Sequence, residues 1–314
     1  MSKKLAIIAV GGNSLILDDK HQTVADQYRA VVETTRNIAG IIEMGYRVVV
    51  THGNGPQVGF ILRRSELSRS ELHEVPLDSC VADTEGSIGY HIQQAMRNQM
   101  RGWQNPPPVA TVVTQVLVDR GDPSFKSPSK PIGSFMDQRL AMAHKEQDRW
   151  DVVEDAGRGW RRVVASPKPV KIIELAAIKK LLDSEMVVIA AGGGGIPVVE
   201  NENGELTGAA AVIDKDLATS LLARELKANL LVISTAVEKV AINYKKPGQR
   251  DLDRITLAEA KRYLADGQFA PGSMRPKVEA VIQFLQEGGS EALITDPPHL
   301  VQAFQHKAGT WIVP

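Results

Sequence analysis

Short apolar runs rich in valine and isoleucine end in glycine or small polar residues, and longer stretches with helical spacing lie between them. Leu5 to Val10 precedes Gly11-Gly12-Asn13, Arg47 to Val50 comes just before Gly53-Asn54-Gly55, and Met186 to Ala191 precedes Gly192. Runs this short and this continuously apolar read as parallel strands buried on both faces. Val24 to Met44 directs Val31, Ile38, Ile41 and Ile42 toward one face, and Ile88 to Met100 has similar spacing, so both read as helices. The alternation predicts an α/β chain with helices on both faces of its sheet. Ligands of such sheets gather at the carboxyl ends of the strands, which is where the glycines stand.

With 314 residues the chain exceeds the size at which one hydrophobic core tends to split, which predicts two lobes. We expect the first over residues 1–170 and the second over 171–314. From Asp119 to about Pro169, the turn signals Asp122-Pro123, Ser127-Pro128-Ser129-Lys130-Pro131, Gly157, Gly159 and Ser166-Pro167 interrupt any long periodicity. That segment reads as an insertion protruding from the first lobe, with a hairpin around Trp160 to Val164. Pro106-Pro107-Pro108 reads as a stiff linker. The second lobe is expected to start near Ile172 with a helix to Leu182, the strand at Met186 and an excursion over Glu200 to Thr207. A helix from Asp214 or Lys215 to Leu226 follows, then strand Leu230 to Ser234, a helix from about Met274 to Glu287, and a final strand near Ala292 to Ile294.

Lysine plus arginine and aspartate plus glutamate both number 37, so no overall field favours nucleic acid or an acidic membrane surface. The single cysteine, Cys80, excludes an intrachain disulfide and a cysteine-rich zinc site, and it reads as buried filler. The first apolar run is too short for a signal peptide or a membrane span, so we expect a cytoplasmic protein.

Glycine after a strand lets backbone N–H groups approach an anion with no side chain in the way, and a following helix N-terminus adds partial positive charge. Gly11-Gly12-Asn13, Gly53-Asn54-Gly55 and Gly192 to Gly195 all fit, although any one of them alone serves equally as a tight turn. In Asp214-Lys215-Asp216 a cation stands between two carboxylates, which suits phosphoryl transfer, a reaction in which the protein mainly holds charge along the path of the migrating group. The plainer reading is a helix start, with Asp214 as cap and Lys215 in solvent. Lys130, between Ser129 and Pro131, and Lys277, at a helix start where it opposes the macrodipole, are further anion-binding candidates or solvated charges. The Walker G-x-x-x-x-G-K-[ST] pattern is absent, as are the H-R-D and D-F-G of protein kinases. Gly53-Asn54-Gly55-Pro56-Gln57-Val58-Gly59 misses the dinucleotide fingerprint by one position, which puts an NAD-dependent dehydrogenase last among the readings.

Taken together, several segments resemble a carbamate kinase of the amino-acid kinase superfamily, from Leu5 to about Val313. They are Gly11-Gly12-Asn13, Thr51 to Gly59, Lys130-Pro131-Ile132-Gly133, Gly157 to Val164, Gly192 to Pro197, Ala211 to Ala218, and Gly272-Ser273-Met274 with Pro276-Lys277. The resemblance implies an open three-layer α/β/α sandwich around a mainly parallel sheet, a protruding subdomain and a homodimer. It also implies a phosphotransferase with a carboxyl-group acceptor, exchanging phosphoryl between carbamoyl phosphate and ADP to give ATP and carbamate, with Mg2+. Gly11, Gly12, Asn13, Gly53, Asn54 and Gly55 are then implied to hold carbamate and the phosphoryl group. Lys130 resembles the lysine that reaches carbamoyl phosphate, Lys215 the one that stabilises the migrating group, and Lys277 the one on the nucleotide phosphates. Asp216 is implied to orient the lysines and Asp214 to assist Mg2+, with no direct metal ligand assigned. Gly193 and Gly194 fall on the nucleotide side, and Ala236, Val237, Tyr244 and Met274 are implied to flank adenine.

The chain departs from the usual pattern at Ala236 and Glu238, at Arg275 before Pro276, and at Glu85, where a glutamine usually precedes Gly86. Two other readings stay open: a kinase of another small carboxylate, and a catalytically silent homologue that binds nucleotide.

Overall fold

The computed structural model describes residues 3–11, 15, 16, 20–155, 157 and 159–314, with only the backbone of Ser134. The first half of the chain contains β1 (Leu5–Val10), α1 (Val24–Glu43), β2 (Arg47–His52), α2 (Gly55–Leu67), α3 (Leu77–Gln99), β3 (Val109–Thr111) and β4 (Gln115–Val118). The insertion contributes β5 (Lys130–Met136), α4 (Gln138–Gln147), β6 (Asp151–Glu154) and β7 (Trp160–Val164). Then come β8 (Pro169–Ile172), α5 (Leu175–Asp183), β9 (Val187–Ile189), β10 (Ile196–Glu200), β11 (Leu206–Gly208), α6 (Lys215–Glu225) and β12 (Leu230–Ser234). The chain ends with β13 (Val240–Ile242), β14 (Arg250–Leu252), β15 (Arg254–Thr256), α7 (Leu257–Ala265), α8 (Met274–Gln286), β16 (Glu291–Thr295), α9 (Leu300–Phe304) and β17 (Thr310–Val313).

The main sheet has the order β15-β17-β16-β12-β1-β2-β9-β3. It is parallel except where β16 meets β17. Alternation along β1 shows why the helices lie on both sides. Leu5, Ile7 and Ala9 join a core with Ile178, Leu222, Val281 and Phe284 from α5, α6 and α8. Ala6, Ile8 and Val10 join the other core with Val31, Ile38, Ile88 and Leu300 from α1, α3 and α9. Every β1 side chain is buried, and at about 1.5–3 kcal/mol per large aliphatic group this two-sided burial outweighs any intrinsic strand preference. The result is the three-layer α/β/α sandwich with a mainly parallel sheet.

A smaller sheet, β11-β10-β4-β8, lies alongside. The insertion forms its own sheet, β5-β7-β6, in which β6 and β7 make the expected hairpin at Trp160 to Val164 and β5 joins it on the other side of β7. Two expectations need correction. Helix α3 begins at Leu77, eleven residues before Ile88, because Leu77, Cys80, Val81, Thr84 and Glu85 are buried against α2 and the glycine turn. The strand over Ala292 to Ile294 is not the last, since Trp311 and Ile312 return antiparallel beside it as β17. Helix α7, with its Thr256–Glu259 capping box, is a further element beyond those expected from the sequence.

Candidate active site

The carboxyl ends of β1, β2, β9 and β12 carry Gly11, Gly53, the turn Gly192–Gly195 and Thr235-Ala236, all at one edge of the sheet. A Cβ on Gly11 would lie 2.8 Å from the Ser234 carbonyl oxygen, so only glycine lets β1 and β12 end this close together. The last carbonyl of β1, that of Val10, accepts the Gly53 N–H at 3.0 Å and Lys215 Nζ at 3.3 Å. That one oxygen ties two glycine loops to the head of α6. Gly12 and Asn13 lie outside the described residues, as does Arg158 of the matching segment in the insertion.

Helix α6 starts as a capped helix should. The Asp214 side chain accepts the N–H groups of Asp216 at 2.9 Å and Leu217 at 3.3 Å. Lys215 is then the first helical residue, and it points back to the sheet edge instead of into solvent. Its chain is held from below: Thr219 Oγ1 donates to the Lys215 carbonyl at 2.7 Å, so Thr51, 2.7 Å from Thr219 Oγ1, donates to Thr219.

Three lysines separated widely in sequence meet here. Lys215 Nζ is 3.1 Å from Asp216 Oδ1, Lys277 Nζ donates to Asp216 Oδ2 at 2.9 Å, and Lys130 Nζ donates to Asp214 Oδ2 at 3.1 Å. Burial alone would raise the Asp216 carboxyl, but Lys215 and Lys277 overrule it and hold it at about 2. Burial pushes the Lys215 ammonium down from its usual range, and Asp216 opposes that fall. Asp216, with a side chain only 5% exposed, therefore pairs with two lysines and aims them at one place.

Lys130 arrives from the insertion as the first residue of β5, paired with Val164 on β7. The insertion sits tightly on α2, where a Cβ on Gly59 would come within 2.9 Å of Gly133 Cα, and Gly133 itself has a φ of +71°. Glycine at both positions lets strand and helix touch.

Asn54 caps α2 without using its side chain on the helix; its Nδ2 donates instead to Thr84 Oγ1 at 2.8 Å. This frees the first N–H groups of α2, and nothing lies within 4 Å of a Cβ placed on Gly55, so an anion can approach there. Gly193 and Gly194 are fully buried with φ of +67° and +99°, and Cβ atoms there would strike Asn54 Nδ2 at 2.0 Å and the Ile213 oxygen at 2.6 Å. These glycines thus let the turn pack against Asn54 and the strand-like run before α6.

Beside Lys277 opens a cavity of about 520 Å³ lined by Ala236, Val237, Tyr244 and Met274 together with Lys277. Gly193, Gly194 and Asp214 are not among its lining residues. The cavity also takes in Asn243, Gln268 and Phe269, which carried no periodic or motif signal in the sequence.

The profile of the amino acid kinase family matches residues 4–296. The chain belongs to the amino acid kinase family. It is 49% identical over 314 residues to the carbamate kinase-like protein YahI of Escherichia coli, with 99% of each chain covered. It is 46% identical over 313 residues to the carbamate kinase of Thermococcus kodakarensis, again over 99% of each. Among solved structures, carbamate kinase from Giardia lamblia bound to AMP-PNP matches with a TM-score of 0.93 and 43% identity, over 100% of this chain and 99% of that one.

For this amino acid kinase family member, sequence reasoning passed over His52 and Thr219, both buried next to the glycine loops. His52 Nδ1 lies 3.0 Å from the Gly53 carbonyl and burial lowers the imidazole to about 4, so the ring is neutral and donates from Nδ1. A polar residue ending an otherwise apolar strand, as Thr51-His52 does, was the available signal. Cys80 is buried and its thiol is pushed up to about 11, chiefly by burial, which suits a packing role.

Proposed function

We propose that the protein is a carbamate kinase, moving a phosphoryl group reversibly between carbamoyl phosphate and ADP to give ATP and carbamate. The observation that carries this reading is the meeting of Lys130, Lys215 and Lys277 around Asp214 and Asp216 at the glycine-rich edge of the sheet. A phosphoryl group in transit between two anionic partners gathers negative charge, and amines already held in place offset it without reorganising. No nucleophilic side chain is required.

In this reading residues 1–170 form the lobe that takes carbamate and residues 171–314 the lobe that takes nucleotide. Gly11, Gly12, Asn13, Gly53, Asn54 and Gly55 hold carbamate and the phosphoryl group. Lys130 reaches carbamoyl phosphate from the insertion, Lys215 follows the migrating group and Lys277 meets the nucleotide phosphates. Asp216 orients Lys215 and Lys277. Adenine lies in the cavity between Val237, Tyr244 and Met274. Mg2+ enters with the nucleotide, and the carboxylate of Asp214, part-exposed at the site, supplies a hard oxygen suited to it. The homodimer belongs to this reading too, and the exposed Tyr90 and Val113 accord with a covered outer face near α3. No helix among the described residues is long and apolar enough to cross a membrane, and a buried reduced Cys80 accords with a cytoplasmic setting.

The test is direct. Purified protein with Mg2+, ADP and carbamoyl phosphate should form ATP, followed by a coupled luminescence assay. ATP no higher than in an enzyme-free control rejects the proposal.

A further inference from the structure

Glu85, in the middle of α3, is 1% exposed. Its Oε2 accepts the Thr114 N–H at 2.7 Å, whereas Oε1 has no hydrogen-bond partner among the described residues. Thr114 grips both ends of the glycine turn: its Oγ1 accepts the Ala191 N–H at 2.9 Å and its carbonyl accepts the Ile196 N–H at 2.8 Å. On the turn itself, a Cβ added to Gly192 would meet His52 Nε2 at 2.4 Å and Glu85 Cγ at 3.0 Å. Carboxyl, imidazole and turn are therefore packed without spare room.

A leucine would fill this space at no electrostatic cost, so the carboxyl needs an account beyond packing. Two titratable groups bear on it. Glu174, at the head of α5 and held by the Gln115 backbone and side chain, is a like charge. His52 is neutral. Among the described residues no cation offsets the Glu85 charge. Burial above all pushes the carboxyl up to about 8; the Thr114 N–H pulls it down, Glu174 adds to the rise, and the nearby Gly192 N–H pulls it down again.

We propose that Glu85 is a positioning residue for the turn Gly192–Gly195, neutral in the working enzyme, and that its ionisation limits phosphoryl transfer at alkaline pH. As the neutral acid it anchors Thr114 and, through it, the turn. As a carboxylate it puts a negative charge with no cation to offset it among the described residues directly beneath a loop at the edge where the phosphoryl group must pass. The inference rests on the proposed function for its kinetic part, but not for its protonation part.

Two measurements test it. The first is the pH profile of kcat for ATP formation from pH 6 to 10 in the wild type, Glu85→Gln and Glu85→Leu. Wild-type kcat should fall above about pH 8, up to tenfold per pH unit, and Glu85→Gln should lack that limb while keeping the acceptor for Thr114. Glu85→Leu, without the acceptor, should be slower at every pH. An alkaline limb shared by the wild type and Glu85→Gln assigns the limit to another group, such as Lys215, and overturns the proposal. The second is the thermal midpoint of Glu85→Gln relative to the wild type. Between about pH 4.5 and 8 the unfolded wild type ionises at this position while the folded one does not, so the advantage of Glu85→Gln should be small at pH 5 and largest near pH 8. A difference that is flat with pH overturns the proposal. Absence of ATP in every variant rejects the function instead, and the thermal measurement still decides the state of Glu85.

Discussion

At the scale of single residues, the site works by fixing charge before substrate arrives. Each lysine already has a carboxylate partner at about 3 Å, so its long chain is ordered in advance and the entropy of ordering is not charged to the reaction step. Lys215 is the most constrained of the three, because Val10, Asp216 and the Thr51–Thr219 pair fix both its ammonium and its backbone. We expect Lys215→Met to lower kcat by roughly 10²-fold or more, the loss typical of one preorganised electrostatic donor. Steady-state kinetics with varied ADP should show the loss mainly in kcat and not in KM, since the amine acts on the migrating group. An unchanged kcat would remove Lys215 from the mechanism.

Among the elements, the glycine turn between β9 and β10 is the most demanding. Gly193 has a left-handed backbone, and any Cβ there would collide with Asn54, whose amide is held by Thr84. Gly193→Ala should therefore destabilise the protein by about 1–3 kcal/mol in urea unfolding and lower kcat by displacing Asn54. Gly55→Ala is the matched control: it faces open space without a left-handed backbone and should shift stability by no more than about 0.5 kcal/mol. Equal stability losses in the two variants would show that close packing at Gly193 does not matter. The insertion follows the same logic, since β5 reaches the site only where Gly59 and Gly133 let it rest on α2.

For the molecule as a whole, the buried ionisable groups set the pH range over which the fold holds. His52 is kept neutral down to about 4, while an unfolded chain binds a proton there near 6.5. The unfolded state thus takes up the extra proton between those values, and stability falls as pH drops from about 6.5 to 4, by about 3 kcal/mol from this residue. Because Glu85 contributes an opposite slope over most of this range, the quantity to follow in urea unfolding is the stability of the wild type minus that of His52→Asn, which should fall as pH drops from about 6.5 to 4. A slope equal in the two proteins would mean that the imidazole is not buried as a neutral ring. Glu85 acts in the opposite direction over the range from about 4.5 to 8, so the two groups together favour an intermediate optimum.

The amino-acid sequence determined the layers on its own terms. The alternation along β1, the helical stripe of α1 and the glycines after the strands report local geometry, and local geometry is what residue spacing encodes. It also singled out Lys130, Lys215 and Lys277 as cations in unusual settings, while leaving each open to a solvent-facing reading. Only the tertiary structure decided between those readings. Lys130 meets Asp214 across 84 positions and Lys277 meets Asp216 across 61, contacts that exist because parallel crossovers bring strand ends to a common edge. The same holds for Glu85 and His52: in the sequence they are a polar residue on a helix and one at a strand end, and only the packing of α3 against the glycine turn removes them from water and so changes their chemistry.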